Sequence, residues 1–337
     1  MLISEIGEFG LIRRISEGIA YTEGDVVVGI GDDAAVLRVR EDRYLLATCD
    51  IQVERIHFIK DKITPYQLGR KSVAINLSDI ASMGGIPKHA WVSLALPSDT
   101  AVEYVDALYE GMKEETGRFG VNIVGGNMAH MPDRLMVDTF ILGEVEPDLL
   151  LLRSGARPGD LILVTGELGD SAAGLTLLLD PAVSCEEAYA KKAMEAHFTP
   201  TPRLEEGRAI AQSRAATAMI DLSDGLASDI TRISEASDVG ARIWAAEIPI
   251  SAATRRIAEL AHKDPLELAI FGGEDYELLF TAPPERAEEL AAAVERETGT
   301  PVSIVGEIVP ASEGRRLVLE DGRVVPLEAM GWDHFRR

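Results

Sequence analysis

The sequence predicts two domains, an N-terminal α/β unit over residues 1–148 and a C-terminal α+β unit over residues 149–337. Three observations carry that expectation. At 337 residues the chain exceeds the ordinary size of one hydrophobic core, which lies at about 150 residues per domain. Strand-like apolar runs are interspersed with stretches of helical period along the whole chain. Between the halves, Leu152-Arg-Ser-Gly-Ala-Arg-Pro-Gly-Asp160 carries the Gly and Pro punctuation of a junction, placed near 148.

In the first half, 25–30, 35–39 and 44–48 read as short strands that pair as an antiparallel meander, separated by a Gly-Asp-Asp turn and a charged turn at 40–43. Thr64-Pro-Tyr-Gln67 is a capping box with Pro at the first helical position. The helix it opens carries Leu68, Val73, Ala74, Leu77 and Ile80 on one side and ends near Gly84-Gly85. A strand at 90–96, a helix capped by Ser98 or Thr100 and running to about Phe119, and strands at 121–124 and 135–145 complete a β-rich half, with two helices on one side.

The second half opens with a strand at 161–165 and helical stretches at 171–179, 185–197 and 203–213. A strand at 218–221, a helix at 224–237, a strand at 241–245 and two more helices follow. A strand at 276–281, a helix at 284–298 and a strand at 302–309 complete a mixed sheet.

Charge narrows the function classes. Asp and Glu total 56 against 33 Lys and Arg, and a formal charge of −23 opposes broad binding to nucleic acid or an anionic membrane. An anionic ligand must therefore be met locally, by metal ions, a few placed cations or helix N-termini. Cys49 and Cys185 alone make no disulfide framework and fit a reducing compartment. The opening MLISEIGEFGLIRRI lacks the basic and apolar regions of a secretory signal, no apolar run reaches about 18 residues, and the expected location is the cytoplasm.

Five turns share one plan: Asp32 and Asp33 in GIGDDAA, Asp50 in ATCDIQVE, Asp79 in NLSDIASMGG, Asp221 and Asp224 in MIDLSDGLASD, and Glu274 and Asp275 in FGGEDYELLF. Each acid stands beside Gly, Ser or Ala at the edge of an apolar run, where a ligand can approach the backbone. Any one of them serves equally as a turn or N-cap residue. Brought together, they would repel unless a cation held them, and an oxygen-only set suits Mg²⁺ with phosphate oxygens completing its shell. Phosphate loops, kinase catalytic loops, dinucleotide glycine motifs, zinc patterns and a nucleophile elbow are all absent from the sequence.

In order along the chain, GDDAA at 31–35, CDIQVERIHF at 49–58, NLSDIASMGGIP at 76–87, GGN at 125–127, LRSGARPGD at 152–160, DLSDGL at 221–226, GGEDYELLF at 272–280 and GWDHF at 331–335 resemble the thiamine-monophosphate kinase family. That family belongs to a superfamily with aminoimidazole ribonucleotide synthetase, selenophosphate synthetase and a hydrogenase maturation protein. The resemblance implies an aminoimidazole ribonucleotide synthetase-like fold whose N-terminal sheet forms a β-barrel across a homodimer. It also implies ATP in the interdomain cleft, several Mg²⁺ ions, and direct transfer of the γ-phosphoryl group to thiamine monophosphate without a covalent enzyme intermediate.

The matched positions imply Asp32, Thr48, Cys49, Asp50, Asp79, Asn127, Asp221 and Asp224 around the metal ions, Gly126, Arg153 and Ser223 on ATP, and His57, Glu274 and Trp332 on the acceptor. No side chain is implied as a covalent catalyst. Ser223 would use free N–H groups at a helix start, Arg153 its planar fork, and Trp332 a stacked ring.

Three positions depart from the family's pattern. Asn127 stands where it has Asp, removing one negative charge, and Arg55 replaces a Gly two residues before His57. Cys49 stands where Thr is usual and leaves only a carbonyl ligand. Alternatives are a paralogous ATP-dependent enzyme with another small acceptor, or a non-catalytic nucleotide binder. The cysteines of the selenium and hydrogenase relatives are missing, since residues 1–31 hold none and the chain ends His-Phe-Arg-Arg.

Overall fold

Two mixed sheets organise the protein in a computed structural model, which describes residues 10–12, 14 and 25–328. The first comprises β1 (Val26–Val28), β2 (Ala35–Arg38), β3 (Tyr44–Val53), β4 (Ile86–Leu96), β5 (Asn122–His130) and β6 (Met136–Val145), in the order β1-β2-β3-β6-β4-β5. Its first three strands form the expected antiparallel meander, and β4 pairs with β5 in parallel. Within one chain the sheet stays open, with β1 and β5 as its edges.

Helices α1 (Pro65–Ser82) and α2 (Val102–Arg118) accompany this sheet. The Thr64 capping box forms as expected, with the Thr64 side chain and Gln67 each serving the other's backbone N–H. By contrast α2 starts after Ala101, and neither Ser98 nor Thr100 caps it. Strand β6 alternates strictly: Val137, Thr139, Ile141, Gly143 and Val145 are buried, while Met136, Asp138, Phe140, Leu142 and Glu144 are half-exposed on the open face.

The second sheet runs β13-β12-β9-β11-β7-β10-β8. Its strands are β7 (Leu161–Thr165), β8 (Ala218–Asp221), β9 (Val239–Trp244), β10 (Leu278–Ala282), β11 (Val302–Pro310), β12 (Arg315–Val318) and β13 (Val324–Pro326). Around them lie α3 (Asp170–Leu179), α4 (Glu187–Phe198), α5 (Leu204–Ser213), α6 (Leu226–Ser237), α7 (Ala252–Leu260), α8 (Pro265–Phe271) and α9 (Pro284–Thr298). Strands β12 and β13 are the pair that periodicity missed, being short and flanked by charge.

The feature that positions the site is the burial of α1 on all sides. Sequence periodicity gives it one apolar face, yet Lys71, Ser72, Asn76, Ser78 and Ser82 are buried as fully as Leu68 and Leu77. The helix lies between the first sheet and the second domain, and α5 approaches so closely that a Cβ at Gly207 would stand 2.2 Å from the Ala81 carbonyl oxygen. Among the described residues, no helix is long and apolar enough to cross a membrane.

Candidate active site

Two polar stripes at helical spacing run along the buried α1. Ser72, Asn76 and Asp79 form one. The Asn76 side-chain oxygen accepts from the Asp50 N–H at 2.9 Å, and Asp79 Oδ2 accepts from the Thr48 hydroxyl, so this stripe faces β3. Lys71, Ser78 and Ser82 form the other. Lys71 Nζ meets Glu274 Oε1 at 2.9 Å, the Ser78 hydroxyl donates to Asp221 Oδ2 at 2.7 Å, and the Ser82 hydroxyl donates to Asp33 Oδ2 at 2.6 Å. One helix thus gathers acids from the Gly-Asp-Asp turn, from β3 and from the second domain.

The result is a carboxylate trio. One oxygen from each of Asp33, Asp79 and Asp221 lies within 4.8 Å of the others. Burial pushes the carboxyl groups of Asp79 and Asp221 well above the usual range, and Asp50 and Asp33 push both further. Asp32 is lifted to about 6 by burial first and by Asp33 second, against the pull of Arg153. An oxygen-only set in which Asp221 and Asp33 raise Asp79, and Asp33 raises Asp221, fits a hard divalent cation, which relieves the repulsion and satisfies every donor atom.

Of the acids singled out in the sequence, Asp79 and Asp221 meet here, with Asp50 near enough to raise the carboxyls of both. Asp33, rather than Asp32, supplies the third oxygen; Asp32 instead accepts from the backbone N–H groups of Asp33 and Arg153, at 3.0 and 3.1 Å. Asp224 is paired with Arg232, which also holds the buried Asp229. The fifth acidic turn stays apart from the trio, because Asp275 accepts from the N–H groups of Gly169 and Ser171 at the start of α3.

Arg153 forks onto Asp33, with Nε 2.8 Å from Oδ1, so its guanidinium already stands beside the trio. Ser223 lies ahead of α6, and its carbonyl accepts from the Glu274 N–H at 2.8 Å. The N–H groups of Asp224 and Gly225 are not left for phosphate as the sequence implied, since Asp229 takes both. Burial lifts the Asp229 carboxyl to about 7 against the pull of Arg232.

Cys49 points to the open face of the sheet, opposite Thr48 and Asp50, as strand alternation requires. Burial and then Asp138 push its thiol upward. Gly126 shares a row across the sheet with Val92, Thr139 and Asp50, and any Cβ there would stand 1.9 Å from the Val92 carbonyl oxygen. Asn127 is exposed on edge strand β5, in the neighbouring row with Ser93 and Asp138, and the trio forms without it.

His57 Nδ1 accepts from the Val53 N–H at 3.0 Å, which places the ring proton on Nε2. Arg55 takes φ +69°, in the left-handed region that favours glycine, and its guanidinium reaches Glu54 at 3.9 Å. Trp332 lies outside the described residues.

Sequence reasoning missed Lys71, Ser78, Ser82 and His197. The first three left a signal, since polar residues at helical spacing beside Asp79 mark a second working face of the helix. His197 left none, because its partner Glu274 is 77 positions away and lies 3.4 Å from its Nδ1.

The family model for the AIR synthase related protein N-terminal domain matches residues 31–145, and that for the C-terminal domain matches residues 157–318. The chain is 37% identical over 336 residues to the thiamine-monophosphate kinase of Bacillus subtilis strain 168, covering 98% of this chain and 99% of the relative. It is 38% identical over 330 residues to that of Escherichia coli K12, covering 98% of each. Among solved structures it resembles AaThiL complexed with AMPPCP and TMP, with 34% identity, a TM-score of 0.85 and 99% of both chains covered. By family model and by full-length identity, the chain belongs to the thiamine-monophosphate kinases of the AIR synthase related family.

Proposed function

We propose that the protein phosphorylates thiamine monophosphate with ATP, giving thiamine diphosphate by in-line transfer of the γ-phosphoryl group. The observation that carries this reading is the meeting of Asp33, Asp79 and Asp221, drawn from both domains, within 4.8 Å of one another. Phosphoryl transfer asks chiefly for positioning and charge neutralisation, so no nucleophilic side chain is required. The relative solved with AMPPCP and TMP supports the substrate pair.

In this reading Asp33, Asp50, Asp79 and Asp221 hold Mg²⁺, with Asp32, Thr48, the Cys49 carbonyl and Asp224 at the margin of the cluster and Asn127 serving from β5. Bound there, Mg²⁺ offsets the charge of the polyphosphate and aligns it. Arg153 and Ser223 position ATP, and Gly126 allows its close approach. The His57 Nε2–H donates to the acceptor, Glu274 accepts from it, and Trp332, from its motif alone, stacks on a ring. We place the domain boundary at 148 and the protein in the cytoplasm. The open face of the first sheet, centred on the Trp91–Phe140 edge contact at 5.8 Å, forms a barrel with a second subunit.

The test is to incubate the protein with ATP, Mg²⁺ and thiamine monophosphate and follow thiamine diphosphate by chromatography. Stoichiometric formation of ADP and thiamine diphosphate is expected. ATP turnover without it would move the assignment to another acceptor, for which Arg55 beside His57 is the first residue to examine.

A further inference from the structure

Lys71 is 1% exposed, near the middle of α1, and its ammonium partner is a carboxylate of the other domain. Burying a lysine ammonium is costly, and a buried ion pair rarely stabilises a fold more than apolar side chains of the same volume would. Domain cohesion does not need it, because α5 packs on α1 in backbone contact at Gly207 and Ser78 bonds Asp221. The pair therefore has to be explained by what it does to Glu274.

Everything else about Glu274 is already fixed. Its backbone takes φ +66°, a conformation that a non-glycine residue adopts at a cost, and its N–H donates to the Ser223 carbonyl at 2.8 Å. Oε2 lies 3.4 Å from His197 Nδ1, and the same nitrogen lies 3.1 Å from the Ser171 hydroxyl. Ser171 is held in turn, since its N–H donates to Asp275, the residue after Glu274. Lys71 closes this ring of contacts from the opposite wall of the cleft. About a quarter of the Glu274 side chain, 26%, stays accessible.

We propose that Lys71 is a positioning residue, holding the Glu274 carboxylate ionised and in one orientation so that its accessible edge accepts a hydrogen bond from a neutral N–H group of the acceptor. The inference rests on the reading that Glu274 meets the acceptor. It adds the chemical class recognised. With the lysine charge 2.9 Å away, Glu274 acts as a hydrogen-bond acceptor for an amino-substituted heteroaromatic ring and not as the counter-ion of a cationic one. His197 supports this as a neutral neighbour, its ring pushed down to about 4 by burial and then by Lys71.

The experiment is a double-mutant cycle in steady-state kinetics with Lys71→Met, Glu274→Gln and the double variant, each checked by thermal unfolding. Lys71→Met should raise the KM for thiamine monophosphate by about tenfold or more, the scale of one charge-assisted hydrogen bond, with the KM for ATP within about twofold. The double variant should be no worse than Glu274→Gln alone, because Lys71 acts only through Glu274. It strands no buried charge, so it carries the comparison even if Lys71→Met fails to fold. Additive losses, a loss falling on the KM for ATP, or an unchanged acceptor KM in Lys71→Met would overturn the inference while wild-type turnover still stood. Absence of product from the wild type would overturn the kinase reading itself, and this inference with it.

Discussion

The Ser78 hydroxyl, one residue before Asp79 on α1, donates to Asp221 Oδ2 at 2.7 Å, so the helix that carries one acid of the trio also orients the acid of the other domain. Both residues are buried, and the bond spans 143 positions of sequence. Ser78→Ala removes the donor and leaves a buried carboxylate short of a partner. The expected cost is about 1–3 kcal/mol of stability, read as a lower thermal midpoint, with a weaker response to Mg²⁺. An unchanged midpoint would show that the carboxylate finds another donor.

Asp79→Asn separates stability from function. The wild-type site concentrates charge where burial and Asp50 already raise the Asp79 carboxyl, so the metal-free protein carries unrelieved repulsion. Removing that charge should raise the unfolding midpoint in chelator while abolishing both the Mg²⁺-induced shift and turnover. Differential scanning fluorimetry with EDTA and with Mg²⁺ reads both effects in one plate. A variant less stable than wild type in EDTA would contradict the repulsion argument.

His197 sets an acid limit on stability. Its ring falls to about 4 in the folded protein from an ordinary 6.5, so between these values the unfolded chain takes up a proton that the folded one refuses. Stability from this group is full above pH 6.5 and is lost as pH falls through 4. The loss approaches about 3 kcal/mol, at about 1.4 kcal/mol per unit. His197→Gln should therefore lose less stability than wild type on going from pH 7 to pH 4.5, measured by urea unfolding at each pH. Parallel curves for the two proteins would remove His197 from the account.

The two-domain plan, the meander and the Thr64 capping box were legible because local periodicity and turn chemistry fix them. Asp79 and Asp221 stood out as candidates, each at the edge of an apolar run beside small residues, and the fold brings their oxygens together. What the sequence did not disclose was direction. Asp32 and Asp33 are adjacent and chemically identical, and it takes Ser82 on α1 and Arg153, 120 residues further on, to hold Asp33 in the trio while Asp32 binds backbone. Asp275 likewise reads as another acid of the set until α3 arrives to be capped. Lys71 was hidden because a buried lysine makes sense only once its partner from the other domain is in view.

Arg55 holds a conformation better suited to glycine, at φ +69°. A left-handed non-glycine residue costs about 1–2 kcal/mol, whereas glycine adds about 0.5–1 kcal/mol of unfolded-state entropy to overcome. Relief of strain wins, so Arg55→Gly should raise stability by roughly 0.5–1 kcal/mol, the difference between those two costs. The surface contact with Glu54 at 3.9 Å adds little to set against this. Chemical denaturation measures the gain. A loss of stability would mean that the guanidinium has an energetic role beyond its exposed pair.

The open face of the first sheet carries the last expectation. Phe140 and Trp91 meet edge to face at 5.8 Å, and Ile51, 42% exposed, stands on the same face of the neighbouring strand. A half-exposed aromatic pair on a sheet whose other face is fully packed is the kind of apolar patch that marks an interface. In a two-fold dimer each residue of the patch occurs twice, so one charge placed there is buried twice. Phe140→Glu should therefore give a monomer with the two sheets intact, seen as a halved mass by sedimentation equilibrium with an unchanged far-UV spectrum. Because Cys49 faces this side while Asp50 faces the trio, separation of the subunits should also lower turnover by exposing the strand that carries both. A variant that keeps the wild-type mass would assign the face to something other than a second copy of the chain.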